Sequence, residues 1–482
     1  MTERGDRRFS RRGFARALAG GSLIVGFDAM TGSWVCATEA HGSPFASVPH
    51  LDGELSFDPA TRNEYAKDYG QIIHEQPLAV LRPGSVDDVS RMIGFARRFG
   101  LKIAARGEGH QPFGQAQVCG GIVIDMRSLQ QVHTFTADSV EVDASTSWRT
   151  LLQATLSYGL APPVLTKFLG LTVGGTLSIG GVGVTSLRHG AQVDQTLALQ
   201  VVTGEGDVVV CSTHEHRDLF EAALAGQGQC AIITRATLRL ERAPAQVREY
   251  LLHYRDLQTL IEDGTRVTQD GRFHGAVALL MPTNGNWSYA LTPIRHFTPP
   301  EAPDDATLLA GLRFVRGSEQ IRDVGYYEYL DEMPPIDFTQ SHADIGLLMP
   351  LSSTATFVGK SLPRFTPDDL GGVQGIRLFF WKRAAFARPL LRLPEEQFVC
   401  YAALLRSPTN DSQALARTLT GNRILYEDNR DGGGVLYPFA AVELTQEDWR
   451  RHYGAHWHEL AKAKRRYDPD AVLASGLQLY FT

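Results

Sequence analysis

The sequence predicts an α+β fold divided between two domains, and three observations carry that prediction. Short apolar strands alternate with helical runs from Pro77 to about residue 242, too closely spaced for a pure βαβ series, so mixed strand pairing is expected. Clustered glycines interrupt this region between Gly107 and Gly190. Residues 243–440 then change character, with proline-rich joints at Pro293–Pro303 and Pro334-Pro335. At 482 residues the chain has room for two or three domains of roughly 100–150 residues. Its composition, 43% hydrophobic and 21% charged, is that of a globular enzyme and too apolar for disorder. A net charge of −6 argues against a basic surface and a nucleic-acid partner. Cys36, Cys119, Cys211, Cys230 and Cys400 stand too far apart for CxxC zinc or redox spacing.

The N-terminus bears on compartment. Arg4, Arg7, Arg8, Arg11, Arg12 and Arg16 face only Glu3 and Asp6, and Ala17–Phe27 is then uncharged and mildly apolar. That run is far short of the ~20 apolar residues of a membrane span, and no later stretch reads as one. Ser10-Arg11-Arg12-Gly13-Phe14-Ala15-Arg16 resembles a twin-arginine export signal, with small-residue cleavage regions at Val35-Cys36-Ala37 or Thr38-Glu39-Ala40. Residues 1–40 are therefore expected to direct the chain to the periplasm or outside the cell. The twin-arginine route carries folded proteins, which suggests a cofactor inserted before export.

Further along, Leu78–Leu81 reads as a strand turned by Pro83 and Gly84. Ser85, with Asp87 and Asp88 behind it, starts a helix where acids meet the positive end of the helix dipole. Val89, Met92, Ile93 and Ala96 recur at helical spacing and Gly100 ends the run. Leu101–Ala105, Ile122–Asp125, Val140–Val142, Ala198–Val202, Val208–Cys211 and Ile232–Leu240 read as strands. An amphipathic helix is expected from about Asp448 to Arg466, with Lys462, Lys464, Arg465 and Arg466 as a solvated face.

Several motifs are excluded. Gly359-Lys360-Ser361 has Thr354 where a P-loop needs glycine, Ser178 has Thr176 where GxSxG needs glycine, and Gly107-Glu108-Gly109 lacks the third Rossmann glycine. What remains is a strand running into Arg106-Gly107-Glu108-Gly109-His110-Gln111, then Gly114-Gln115. Glycines there let backbone N–H groups approach a phosphate, and His110 would face whatever the loop holds. A second stretch, Leu171-Thr172-Val173-Gly174-Gly175-Thr176-Leu177-Ser178-Ile179-Gly180-Gly181-Val182-Gly183, suits a long, flat, phosphate-bearing ligand. As packing alone, its glycines would each cost roughly 0.5–1 kcal/mol relative to Ala in regular structure.

On these residues the chain resembles the FAD-binding domain of the vanillyl-alcohol oxidase and p-cresol methylhydroxylase (PCMH) flavoproteins, and most of all the cytokinin dehydrogenases. Further matches are His189-Gly190, Val202-Thr203-Gly204, Asp218-Leu219-Phe220, Ile233-Thr234-Arg235-Ala236, Asp448–Gly454 and Tyr467-Asp468-Pro469. The resemblance implies a two-part PCMH-type FAD domain over residues 41–245, an α+β substrate-binding cap over 246–440, and a C-terminal segment, 441–482, returning to the FAD domain. It implies that His110 bonds covalently to the flavin 8α-methyl, and it places Gly107, Glu108, Gly109, Gln111, Gln115, Thr172, Ser178, Val182 and Ile233 around FAD. No cysteine near Gly170 offers a second flavin bond. The implied chemistry is oxidation of a C–N or C–O bond in a small organic substrate, with hydride passing to flavin and a side chain taking a proton. Oxygen and a quinone both remain open as electron acceptor.

Two departures set the chain apart. Lys167 stands where the family's catalytic aspartate precedes Leu171-Thr172-Val173-Gly174-Gly175, and His274 where its substrate-binding glutamate is expected. A desolvated Lys167 could act as base, and a protonated one would attract an anionic substrate or reduced flavin. Alternatives are an alcohol or carbohydrate oxidase of the same fold, and a flavin-carrying binding protein without turnover. His452, His456 and His458 place two histidines one helical turn apart, but their segment matches a structural part of the family and no metal is expected. Asn286-Trp287-Ser288 and Asn410-Asp411-Ser412 are formal glycosylation sequons, meaningless if a bacterium exports this chain.

Overall fold

The computed structural model describes residues 48–474 except 284, 334–337, 371–374 and 409–410, together with 476, 479 and the backbone of the strands Val25–Asp28 and Ser33–Cys36. The arginine motif at 10–16 and the cleavage region at 37–40 lie outside the described residues, as do Pro334-Pro335 and Asn410.

The predicted strands form, each displaced by no more than a residue or two, and they pair in both senses. A four-stranded sheet runs Glu54–Ser56, Ala79–Arg82, Ile122–Asp125, Ile103–Arg106, with its last three strands parallel. The helix Val86–Phe99 covers it. Its start is fixed by Ser85, whose hydroxyl accepts the Asp88 N–H, and its end by Gly100 at φ 65°. Val89, Met92, Ile93 and Ala96 are its buried stripe, as their spacing requires. A five-stranded antiparallel sheet follows in the order Val208–Ser212, Thr196–Thr203, Ala231–Arg239, Ser139–Asp143, Val132–Phe135.

Beyond residue 245 the chain builds one antiparallel sheet of eight strands. Its order is Gln320–Gly325, Gln246–Tyr254, Asn286–Phe297, Gly275–Thr283, Ile376–Lys382, Phe398–Leu404, Ile345–Pro350, Val435–Ala440. The helices Leu257–Asp270 and Leu351–Ser361 pack on one face of it. Contact is close: a Cβ on Gly264 would stand 2.3 Å from the Phe380 ring. The opposite face looks toward the glycine-rich loops.

Three expectations are corrected. Pro293 is no joint, for it lies within the strand Asn286–Phe297 opposite Ala276. Each residue of an antiparallel strand directs its N–H to one neighbour, so a proline there removes a single ladder bond. The C-terminal helix is two helices, Gln446–Tyr453 and Trp457–Tyr467, because Gly454 at φ 52° interrupts the first. Lys464 is not solvated: it is 5% exposed and its ammonium donates to the Gln229 and Leu473 carbonyls and to Asp468. The segment after it crosses back to the first sheet, where Leu473 bridges Ile103.

Candidate active site

The two glycine-rich stretches meet below the eight-stranded sheet. The first leaves the strand Ile103–Arg106 and is held from beneath by residues 68–70. The Asp68 carboxylate, fully buried, accepts the Gly70 and Gly114 N–H groups, and the Tyr69 and Gly70 N–H groups donate to the Gly109 and Gln111 carbonyls at 2.8 and 3.1 Å. Burial raises the Asp68 carboxyl to about 7 despite those donors. In the second stretch the Thr172 hydroxyl accepts the Gly175 N–H, and Ser178 donates to the Gly174 carbonyl at 2.8 Å. A Cβ on Gly107 would stand 2.3 Å from Thr172 Oγ1, and one on Gly174 would stand 2.7 Å from the Ala144 Cβ.

Between loops and sheet lies a cavity of about 500 Å³. All the residues expected around FAD line it: Gly107, Glu108, Gly109, His110, Gln111 and Gln115 from the first stretch, then Thr172, Ser178, Val182 and Ile233. His110 is walled by aromatic rings, with Tyr69 at 4.1 Å, Phe439 at 5.3 Å and Phe168 at 5.4 Å between centroids. Burial, with a smaller repulsion from His342, lowers its imidazole to about 3, so it is neutral at any working pH. Its Nδ1 and the Gln111 Oε1 are buried without a hydrogen-bond partner. Orphaned polar atoms of this kind, beside backbone that no side chain shields, are what a nucleotide cofactor would satisfy. The loops fit FAD.

Lys167 also lines the cavity. Its ammonium donates to Glu332 Oε2 at 2.8 Å and lies 3.7 Å from the centre of the Tyr329 ring. Glu332 accepts in turn from Arg322 at 2.6 Å, and Arg322 donates to Glu249 at 2.6 Å, so charges alternate along the wall. Burial works to raise the Glu332 carboxyl, but the hydrogen bonds from Lys167 and Arg322 outweigh it and hold it below its ordinary range.

His274 is elsewhere. It is absent from the cavity lining and stacks on His296 at 4.6 Å, its Nδ1 accepting the His296 N–H at 3.0 Å. Burial first, then repulsion from His296 and Arg188, lowers it to about 3. His452 is buried among Trp449 and Tyr453, and among the described residues no group of His, Cys, Asp and Glu is arranged to hold a metal.

Sequence reasoning missed the ceiling. Arg377 and Phe379, Tyr401 and Ala403, and Tyr437 and Phe439 reach the cavity from alternate positions of three strands, and Asp344 joins them. Only a period-two reading of Ile376–Lys382 and Phe398–Leu404 could have found them.

Comparison with known proteins agrees with this architecture. Residues 77–212 match a profile described as FAD binding domain, and residues 278–480 match one described as cytokinin dehydrogenase 1, FAD and cytokinin binding. The chain is 36% identical over 423 residues to the uncharacterized oxidoreductase ORF5 in the fasciation locus of Rhodococcoides fascians, covering 86% of this chain and 96% of that one. It is 32% identical over 482 residues to cytokinin dehydrogenase 4 of Oryza sativa subsp. japonica, covering 89% and 90%. Among solved structures, 6-hydroxy-D-nicotine oxidase from Arthrobacter nicotinovorans superposes with a TM-score of 0.70 at 21% identity, over 90% of this chain and 99% of that one, a likeness of fold. The chain is an FAD-dependent oxidoreductase and belongs to the cytokinin dehydrogenase family.

Proposed function

We propose that the protein is an exported oxidoreductase that carries FAD on His110 and oxidises a C–N or C–O bond of a small organic molecule. The observation that carries this reading is His110 itself: a neutral imidazole at the end of a strand-loop, lining the cavity, with a buried Nδ1 that no protein group satisfies. A neutral ring nitrogen has the lone pair that an alkylated histidine uses. FAD, when bound, supplies the two-electron acceptor. The chain's own residues position the substrate between loops and sheet and exclude water from it. The test is acid precipitation. The washed pellet should stay yellow, and His110→Ala should release the colour; colour lost from the unmutated protein defeats the covalent bond.

Lys167 enters this reading as a side chain fixed in the wall by its 2.8 Å hydrogen bond to Glu332. The aromatic ceiling favours a flat, unsaturated body over a carbohydrate. A yellow protein whose flavin no amine or alcohol reduces would be a flavin-carrying binding protein. Export rests on the arginine motif: replacing Arg11 and Arg12 by Lys should strand flavin-loaded precursor in the cytoplasm of a bacterial host, and undiminished export would overturn it. Among the described residues no helix is long and apolar enough to cross a membrane.

A further inference from the structure

Residues 225–229 form a loop with a strained backbone. Ala225 and Gln227 stand at φ 56° and 55°, the left-handed region that costs a residue with a side chain energy, and Gly228 follows at φ 68°. The loop keeps that shape because it is gripped from two sides. Toward the second glycine-rich stretch, the Ala225 and Gln227 N–H groups donate to the Leu177 and Ser178 carbonyls, both at 2.9 Å. Toward the C-terminal helices, the Gln227 side-chain amide donates to the Tyr453 hydroxyl at 2.7 Å, and the Gln229 carbonyl accepts from Lys464 at 2.7 Å.

Gln227 and Gly228 line the cavity, whereas Tyr453 does not. Gln227 is 6% exposed and Tyr453 is fully buried, so the bond between them turns Nε2 away from the cavity. Oε1 is then the end of the amide left for the cavity, and it is buried without a hydrogen-bond partner. A buried acceptor left unmet is costly, and a left-handed glutamine between Gly226 and Gly228 adds to that cost. A ligand that brings a donor to this oxygen accounts for both.

The chemistry of FAD narrows the donor. Its phosphate oxygens are acceptors and would repel Oε1. The hydroxyls of its ribityl and ribose chains are donors, and they flank the pyrophosphate on both sides. Gln227 is bonded through its backbone to Ser178, within the glycine-rich stretch that suits that pyrophosphate. We propose that Gln227 is a cofactor-binding residue whose side-chain carbonyl accepts a hydrogen bond from a sugar hydroxyl of FAD, with Tyr453 as the positioning residue that turns the amide. This inference rests on the reading of the cavity as the flavin site.

The test uses the full chain carrying His110→Ala, from which FAD can be withdrawn and returned, and follows flavin fluorescence during titration with FAD. Gln227→Met should raise the dissociation constant roughly fivefold to a hundredfold, the worth of a hydrogen-bonding group left unmet. Gln227→Gly, which the left-handed backbone accepts without strain, should do the same and guards against a misfolded variant. Tyr453→Phe should weaken FAD severalfold by itself and add nothing to Gln227→Met, since it acts through that amide. With His110 restored, flavin content after purification should fall in the same order. An affinity within about twofold of the parent in either variant at 227 overturns the proposal. Losses from Tyr453→Phe and Gln227→Met that simply add overturn the positioning role. If neither this chain nor the unmutated protein holds FAD, the flavin reading falls and this inference with it.

Discussion

A Cβ on Gly107 would stand 2.3 Å from the hydroxyl oxygen of Thr172, the same atom that caps the Gly175 N–H. The two glycine-rich stretches are in contact there, and a methyl group would push them apart. Gly107→Ala should therefore lower the ratio of flavin to protein absorbance several-fold while the protein still folds, since overpacking costs roughly 1–3 kcal/mol. Full flavin content in the variant would show that the contact yields without disturbing the cofactor cradle.

Lys167 is held by Glu332 and by the face of Tyr329. If it serves as a fixed cation, Lys167→Met should slow flavin reduction by less than roughly tenfold and leave its pH profile unchanged. A loss of about 10²–10⁴-fold, with a vanished ionisation, would restore it as the base. Stopped-flow reduction across pH with the best substrate from an amine and alcohol panel decides between them.

Stability should fall on acidification. Burial lowers His110, His274 and His452 to about 3 and His296 to about 4, whereas an unfolded histidine titrates near 6.5. Between those values the unfolded chain binds protons that the folded chain refuses, so stability is lost as pH drops from about 6.5 toward 4. Asp68 and Asp344 act the other way: their folded carboxyls titrate at about 7, so their contribution is present in acid and lost as pH rises through that value. His452 does not line the cavity, and both its ring nitrogens are buried without partners. In urea unfolding at about pH 5 and 6.5, His452→Leu should reduce the pH slope by up to roughly 1.4 kcal/mol per unit. An identical slope would mean His452 is not buried neutral.

Lys464 pins the C-terminal segment. It pairs with Asp468, itself 1% exposed, which also accepts the Val472 and Leu473 N–H groups at 2.8 and 2.9 Å. Lys464→Met should destabilise the fold by about 3–5 kcal/mol, because it leaves a buried carboxylate unpaired. Adding Asp468→Asn should recover part of that loss, since asparagine can still accept. A single variant within about 0.5 kcal/mol of the parent by chemical denaturation would contradict the burial of this pair.

The floor of the site was legible because its chemistry is local. A strand, a run of glycines and His110 are contiguous, and the backbone freedom they confer needs no partner to be recognised. Strand positions up to residue 240, the Ser85 cap and the Gly100 stop were legible for the same reason. The ceiling was not: Arg377, Tyr401 and Tyr437 each come from a different strand, and only sheet pairing brings them onto one face. Lys464 looked solvated because helical periodicity sees one helix and not the segment that folds over it. Pro293 looked like a break because a proline's cost in a strand depends on which neighbour its missing N–H would have served.

By itself, the sequence determined the fold class, the glycine-bared cradle, the histidine beside it and the lysine at an unexpected position. Tertiary structure alone decided that Lys167 meets Glu332, that His274 stacks on His296, and that Arg377 lines the cavity. The division has one physical cause. Backbone conformation is set within a few residues, whereas the charge state and exposure of a side chain are set by whatever the rest of the chain brings against it.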